Sequence, residues 1–271
     1  MELSWDNVLL AFALTLFAGL STGIGSAIAF LTKKTNKKFL SLSLGFSAGV
    51  MIYVSFVEIF PTAQEALREN YSEKIADVIV AISFFAGMGL IAIIDKLIPS
   101  YENPHEVKSL ELLEGKQPHD KKLMRMGIFS ALAIGIHNFP EGLATFIAGL
   151  SNPEIAYPIA FAIAIHNIPE GIAVSVPIFF ATGSRKKAFK LSFLSGLSEP
   201  LGAIIGFFLI YTFIGINSVI LGVLFALVAG IMVFISLDEL LPTAKEYGAH
   251  HLSIYGLVAG MALMAFSLLL F

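Results

Sequence analysis

The chain has 271 residues, 56% of them hydrophobic and 14% charged, with a mean hydropathy of +0.83. That is more apolar surface than one soluble core can bury, so lipid is the expected solvent and no soluble domain is left over. No cysteine is present, which excludes disulfides, thiolate metal sites and thiol catalysis; the net charge of −3 matters less than how Lys and Arg are shared between loops, and no nucleic-acid partner is expected.

Crossing a hydrocarbon core of roughly 30 Å takes about 20 helical residues. Apolar stretches of that length recur at 8–31, 39–61, 75–98, 125–149, 156–181, 189–213, 217–241 and 252–271, with the longest connection at 99–124. The expected fold class is therefore an all-α membrane protein of eight transmembrane helices forming one domain over 1–271. The opening residues Met1 to Asp6 are acidic and lack the positive region and cleavage site of a secretory signal, so the first span is expected to remain in the mature chain.

Of the 17 Lys and Arg, all but Arg68 and Lys74 fall in connections on one side: Lys33 to Lys38 after the first span, Lys96 to Arg125 after the third, Arg185 to Lys190 after the fifth and Lys245 after the seventh. By the positive-inside rule that side is cytoplasmic, which makes 99–124 a cytoplasmic loop and places both termini outside a cell membrane, inner or plasma.

The second span returns as the seventh. Ala48 to Glu65 matches Ala229 to Glu246 at 9 of 18 positions without a gap. Gly19-Leu20-Ser21-Thr22-Gly23-Ile24-Gly25 of the first span is similar to Gly196-Leu197-Ser198-Glu199-Pro200-Leu201-Gly202 of the sixth, and Ala86-Gly87-Met88 of the third to Ala259-Gly260-Met261 of the eighth. Between these triplets, His137-Asn138-Phe139-Pro140-Glu141-Gly142 is echoed by His166-Asn167-Ile168-Pro169-Glu170-Gly171. Each matched pair crosses the membrane in opposite directions, which reads as a 3+2+3 inverted repeat and as a transporter with two related conformations.

Ionisable groups at mid-membrane depth cost about 2.5–3.5 kcal/mol each even on a lenient scale, yet Glu141, Glu170 and Glu199 lie well inside their spans. Within each copy of the HNxPEG motif, His and Glu are four residues apart and Asn and Glu three apart, so all project from one helical face. Pro140 and Pro169 leave the carbonyls of Ile136 and Ile165 without their usual donors, and Pro200 does the same to Gly196; such backbone must face protein or a wet cavity. Two imidazoles, up to three carboxylates and two amide oxygens suit zinc, iron(II), manganese or cobalt better than calcium, magnesium or copper(I), with a second ion a further option. Asn138 and Asn167 also admit a plainer role as hydrogen-bonded links between helices.

Glu58, near the outer end of the second span, and Glu239 beside Asp238, near the inner end of the seventh, occupy matching repeat positions and read as entrance and exit relays, or as interfacial carboxylates reaching water. Met51 matches Met232 and is a candidate thioether ligand, although Met in an apolar helix more often packs. His105, His119, His250 and His251 read as solvated side chains, and Gly23, Gly25, Gly45 and Gly49 as points of close helix contact.

On the paired motifs, the chain resembles the ZIP family of divalent-metal transporters, specifically its ZupT-type branch. The resemblance covers the whole chain and implies a binuclear centre, with His137, Glu141, His166 and Glu170 forming one site and Asn138, Glu141, Asn167, Glu170 and Glu199 its neighbour. It also implies zinc as principal substrate, with tolerance for iron, manganese, cobalt or cadmium. A resident cofactor is not expected, and a homodimer is an open expectation. Uptake by alternating access is the favoured reading over a channel-like pathway. An intramembrane metalloenzyme and a proton-coupled carrier of a small organic solute are the competing classes; the first lacks an HExxH motif and leaves the repeat unexplained, and paired imidazoles argue against the second.

Overall fold

The computed structural model describes residues 4–31, 37–97, 121–151, 153–209, 211–212, 217–247 and 250–269; for some of these, His137 among them, only the backbone is described. Among the described residues there is no strand. The helices are α1 Trp5–Leu31, α2 Lys37–Val54, α3 Phe60–Arg68, α4 Glu73–Leu97, α5 Lys121–Ser151, α6 Pro153–Thr182, α7 Arg185–Gly196, α8 Ser198–Leu209, α9 Ser218–Ile235, α10 Leu241–Tyr247 and α11 His250–Leu268. Seven helical stretches among the described residues are long and apolar enough to cross a membrane. The remaining predicted span lies in α5, which is 31 residues long, and the predicted cytoplasmic loop lies outside the described residues up to Asp120.

Local chemistry sets several ends. Gly183, with φ of 64°, turns the chain between α6 and α7. Ser184 Oγ then accepts the Lys187 N–H at 3.3 Å to cap α7, and Asn217 Oδ1 accepts the Ile220 N–H at 3.0 Å to cap α9.

Two spans continue past the prolines near which the sequence reading ends them. Ser55–Ile59 is a π-helical turn joining α2 to α3, and Ser236–Leu240 joins α9 to α10 in the same way. The N–H of Phe60 reaches back five residues to the Ser55 carbonyl, and that of Leu241 to Ser236. Pro61 and Pro242 come next and have no N–H to give; the wider turn absorbs the missing donor, so the helix continues to Arg68 in one case and Tyr247 in the other.

The sixth span, expected as one helix, is interrupted at Leu197. Pro200 cannot donate to Gly196, and the chain carries on through Leu197 N–H to Phe193 O at 3.2 Å and Leu201 N–H to Leu197 O at 3.3 Å. The released Gly196 carbonyl packs on Gly19 of α1, so helix contact is where this carbonyl goes.

The helices pack as two groups. One contains α1, α5, α6, α7 and α8, and the other α2, α3, α4, α9, α10 and α11. The groups meet along α2 and α6 and, more sparsely, along α9 and α5. Inside each group, pairs of helices approach through reciprocal glycine–carbonyl contacts where a Cβ would collide with the opposite backbone. On α1 and α6, Gly25 meets the Ile168 carbonyl and Gly171 that of Thr22; on α5 and α8, Gly142 meets Glu199 and Gly202 meets Phe139. On α2 and α11, Gly49 meets Leu257 and Gly260 meets Phe46; on α4 and α9, Gly87 meets Leu227 and Gly230 meets Phe84. A second contact of Gly45 with Ser253, one turn before Gly49 with Leu257, makes α2 and α11 parallel. Gly23 instead lies under the Phe193 ring.

These contacts separate glycines that packing demands from those it does not. G49A should destabilise the detergent-purified protein by about 1–3 kcal/mol through overpacking. G89A, with nothing within 4 Å of the added carbon, should be neutral or stabilising by up to about 1 kcal/mol from helix propensity. Thermal unfolding of the two variants side by side measures the difference.

Candidate metal centre

The glycine closing each HNxPEG motif fixes where its glutamate sits. Gly142, next to Glu141, lets α5 press on the backbone of Glu199, and Gly171, next to Glu170, lets α6 press on that of Thr22. Four helices therefore converge within a turn of the two motifs. Asn138, Glu141, His166, Asn167 and Glu199 are fully buried there, and Glu170 is 1% exposed.

Glu141, His166 and Glu170 each offer a ligand atom, and these atoms lie within 4.8 Å of one another. His166 Nε2 stands 3.2 Å from Glu141 Oε2 across the α5–α6 contact. Asn167 Nδ2 donates to Glu199 Oε1 and, at 2.9 Å, to the Ala18 carbonyl of α1. Asn138 Nδ2 donates to the Ser195 carbonyl at 3.4 Å. With both amide N–H groups turned to backbone or carboxylate, the amide oxygens of Asn138 and Asn167 are left buried without a hydrogen-bond partner among the described residues. Buried acceptors are normally satisfied, and amide oxygens without a hydrogen-bond donor are able to ligate a cation. The backbone of His137 lies on α5 one turn before Glu141; its side chain is outside the described residues.

Glu58 is half-buried and Glu239 is 8% exposed, each the fourth residue of a π-helical turn, and Asp238 is exposed. Met51 is fully buried in the large apolar core with Met232 and Leu44. His251 is exposed, its ring stacked on Tyr255 at 6.3 Å. His105 and His119, and the side chain of His250, lie outside the described residues.

A family model described as ZIP Zinc transporter matches residues 4–95 and 95–268. This chain belongs to the ZIP family. It is 66% identical over 266 residues to a protein named zinc transporter ZupT from Streptococcus mutans, covering 98% of this chain and 99% of that one. Similar relatives of the same name occur in Chlorobium chlorochromatii, 64% identical over 267 residues with 98% and 99% covered, and in Clostridium perfringens, 62% identical over 279 residues with 98% and 97% covered. As a ZIP protein the chain is a multi-pass membrane transporter and not an enzyme.

Several residues around the centre escape a sequence reading. Ser47 Oγ of α2 donates to the His166 carbonyl at 3.4 Å, joining the two helix groups beside the ZIP motif. Ser26 and Ser192 share a hydrogen bond of 2.6 Å and both reach the Gly171 carbonyl, at 3.3 and 3.1 Å, holding the turn after Glu170 against α1 and α7. Small polar residues in apolar helices are the only signal they carry, and many such residues mark nothing but packing. The carbonyls of Ala18 and Ser195 carry no side-chain signal at all.

The amide contacts differ in what they support. N167L removes a donor from a buried carboxylate and should cost about 1.5–3 kcal/mol, whereas N138L removes a long bond to a neutral carbonyl and should cost about 1 kcal/mol. Thermal unfolding of metal-free protein in detergent ranks the two.

Proposed function

We propose that this chain carries zinc, and with it iron(II), manganese, cobalt or cadmium, across the cell membrane into the cytosol. The observation that carries this reading is the buried Glu141, His166 and Glu170 group at the centre of a ZIP-family chain. Its relatives named zinc transporter ZupT support zinc as the principal cargo. Imidazole favours borderline cations over calcium or magnesium, and the lack of cysteine disfavours copper(I). His137, Glu141, His166 and Glu170 form one ion site, and Asn138, Glu141, Asn167, Glu170 and Glu199 its neighbour. The orphan amide oxygens of Asn138 and Asn167 support including both asparagines.

The transport unit is one domain over the whole chain, built as a 3+2+3 inverted repeat with both termini outside. The glycine contacts support the repeat. Exchanging the first span for the sixth and the fourth for the fifth turns the α1–α6 contacts, Gly25 with Ile168 and Gly171 with Thr22, into the α5–α8 contacts, Gly202 with Phe139 and Gly142 with Glu199. Exchanging second for seventh and third for eighth turns Gly49 with Leu257 into Gly230 with Phe84, and Gly260 with Phe46 into Gly87 with Leu227. The two π-helical turns are mates under the same exchange. Lysine and arginine distribution supports the orientation.

Alternating access then follows from moving α1 and α5 to α8 past the remaining helices. Two crossings that the repeat makes equivalent are packed differently: α2 lies firmly on α6, whereas α9 only grazes α5. Beside the latter crossing is a cavity of about 720 Å³ lined by Ile136, Pro140, Ser195, Val228 and Ile231 among others. Unequal packing of equivalent crossings is what one of two interconverting states requires. The membrane potential assists entry by about 2.3 kcal/mol per charge per 100 mV.

Zinc entry into proteoliposomes holding a fluorescent zinc indicator tests the proposal. The intact chain should admit zinc, and H137A and E170A, recovered folded, should each reduce the initial rate by about tenfold or more, the scale at which lost ligands act on metal sites. Absence of entry by any divalent metal under any gradient would overturn the proposal and favour a different transported solute. Loading from outside through Glu58 predicts a second result: E58A slows uptake most at low zinc, and an unchanged rate across zinc concentrations removes Glu58 from the path.

A further inference from the structure

We infer that Thr22 is the repeat counterpart of Glu199 and supplies a neutral oxygen ligand to the transported cation; this rests on the metal-transport reading above. In the sequence, the match of Gly19 to Gly25 with Gly196 to Gly202 puts Thr22 on Glu199. In the structure, the two residues occupy the same surroundings. The Cβ of Glu199 lies against Gly19, and the Cβ and Oγ1 of Thr22 lie against Gly196. The Glu199 carbonyl abuts Gly142 after Glu141, and the Thr22 carbonyl abuts Gly171 after Glu170. One turn earlier on each helix, the Ala18 carbonyl accepts from Asn167 Nδ2 and the Ser195 carbonyl accepts from Asn138 Nδ2.

The halves differ in what faces the amide. Glu199 Oε1 accepts from Asn167, whereas the matching position on α1, Thr22, carries a hydroxyl in place of the carboxylate. That hydroxyl is fully buried and has no hydrogen-bond partner among the described residues. Buried threonines in this protein otherwise donate to the carbonyl four residues back, as Thr15 does to Ala11 at 2.9 Å, Thr145 to Glu141 at 3.0 Å and Thr182 to Ile178 at 2.8 Å. For Thr22 that carbonyl is Ala18, which already accepts from Ser21 Oγ at 2.5 Å and from Asn167 Nδ2 at 2.9 Å. The hydroxyl of Thr22 and the amide oxygen of Asn138, which the repeat pairs as it pairs Glu199 with Asn167, are thus both without partners among the described residues.

Charge gives the asymmetry a use. A glutamate at position 22 would add a fourth carboxylate to Glu141, Glu170 and Glu199, binding a divalent cation too tightly to release. A hydroxyl solvates the ion without adding charge, so α8 brings a carboxylate to the centre and α1 brings a neutral oxygen.

The absence of cysteine from the chain makes T22C a direct probe, tested with T22V and T22S in zinc-indicator proteoliposomes. Loss of the hydroxyl in T22V should raise the zinc KM by about fivefold or more with the protein folded, while T22S stays within about twofold of the intact chain. A thiolate at this place should raise cadmium competition against zinc by about tenfold, and zinc should slow alkylation of the T22C thiol. Folded T22V with an unchanged KM, or T22C with unchanged cadmium preference, would reduce Thr22 to a packing residue. If T22V cannot be recovered folded, the cadmium preference of T22C against T22S decides. Failure of the intact chain to admit zinc in the same vesicles would instead count against the transport reading.

Discussion

Burying Glu141, Glu170 and Glu199 inside a lipid-dissolved bundle is the constraint on which the structure depends. A carboxylate at that depth needs donors or a cation close by, because water is not there to solvate it. His166 and Asn167 on α6 serve Glu141 on α5 and Glu199 on α8, and Asn167 is itself held by the α1 backbone. Four helices must come within side-chain reach of one another. Glycine at the residue after each motif glutamate makes this possible, since any Cβ there would hold α8 away from α5 and α1 away from α6. The motif thus carries the candidate ligands and its own packing device.

That packing concentrates the polar residues in one helix group and leaves the other to frame it. The α2–α3 and α9–α10 spans carry no member of the central cluster, yet each contains a π-helical turn with a buried or half-buried glutamate. A π turn inside an α-helix is costly and commonly accompanies function. Here it also accommodates Pro61 and Pro242, so a helix break is avoided and the carboxylate is aimed in the same local change. The groups touch mainly through α2 on α6, where Ser47 meets the backbone of His166.

The donor chemistry matches an ion that must be released as well as bound. Imidazole and carboxylate hold borderline divalent cations firmly, whereas amide and hydroxyl oxygens hold them weakly. In the proposed site, Asn138, Asn167 and Thr22 supply such weak oxygens, which have no other partners among the described residues. A site graded from strong to weak ligands lets the ion leave; one built of carboxylates alone would retain it.

Eight apolar spans, the lack of thiol chemistry and the paired motifs were legible in the chain because each is a local property: segment length against bilayer thickness, residue type, and a spacing of three or four on a helix. The repeat was legible too, since Ala48 to Glu65 still matches Ala229 to Glu246 residue for residue. Helix ends at Pro61 and Pro242 were misread, because a proline's missing donor looks the same in sequence whether the helix stops or widens by one residue. Which oxygens are left without a hydrogen-bond partner among the described residues was decided only by the tertiary structure. Asn138 and Asn167 turn their amide N–H groups to the Ser195 and Ala18 carbonyls, which belong to other helices, and the ordinary backbone acceptor of Thr22, the Ala18 carbonyl, is shared by its neighbour Ser21 and by Asn167. Sequence determines which donors are present; the approach of backbones across glycine decides which of them remain for an ion.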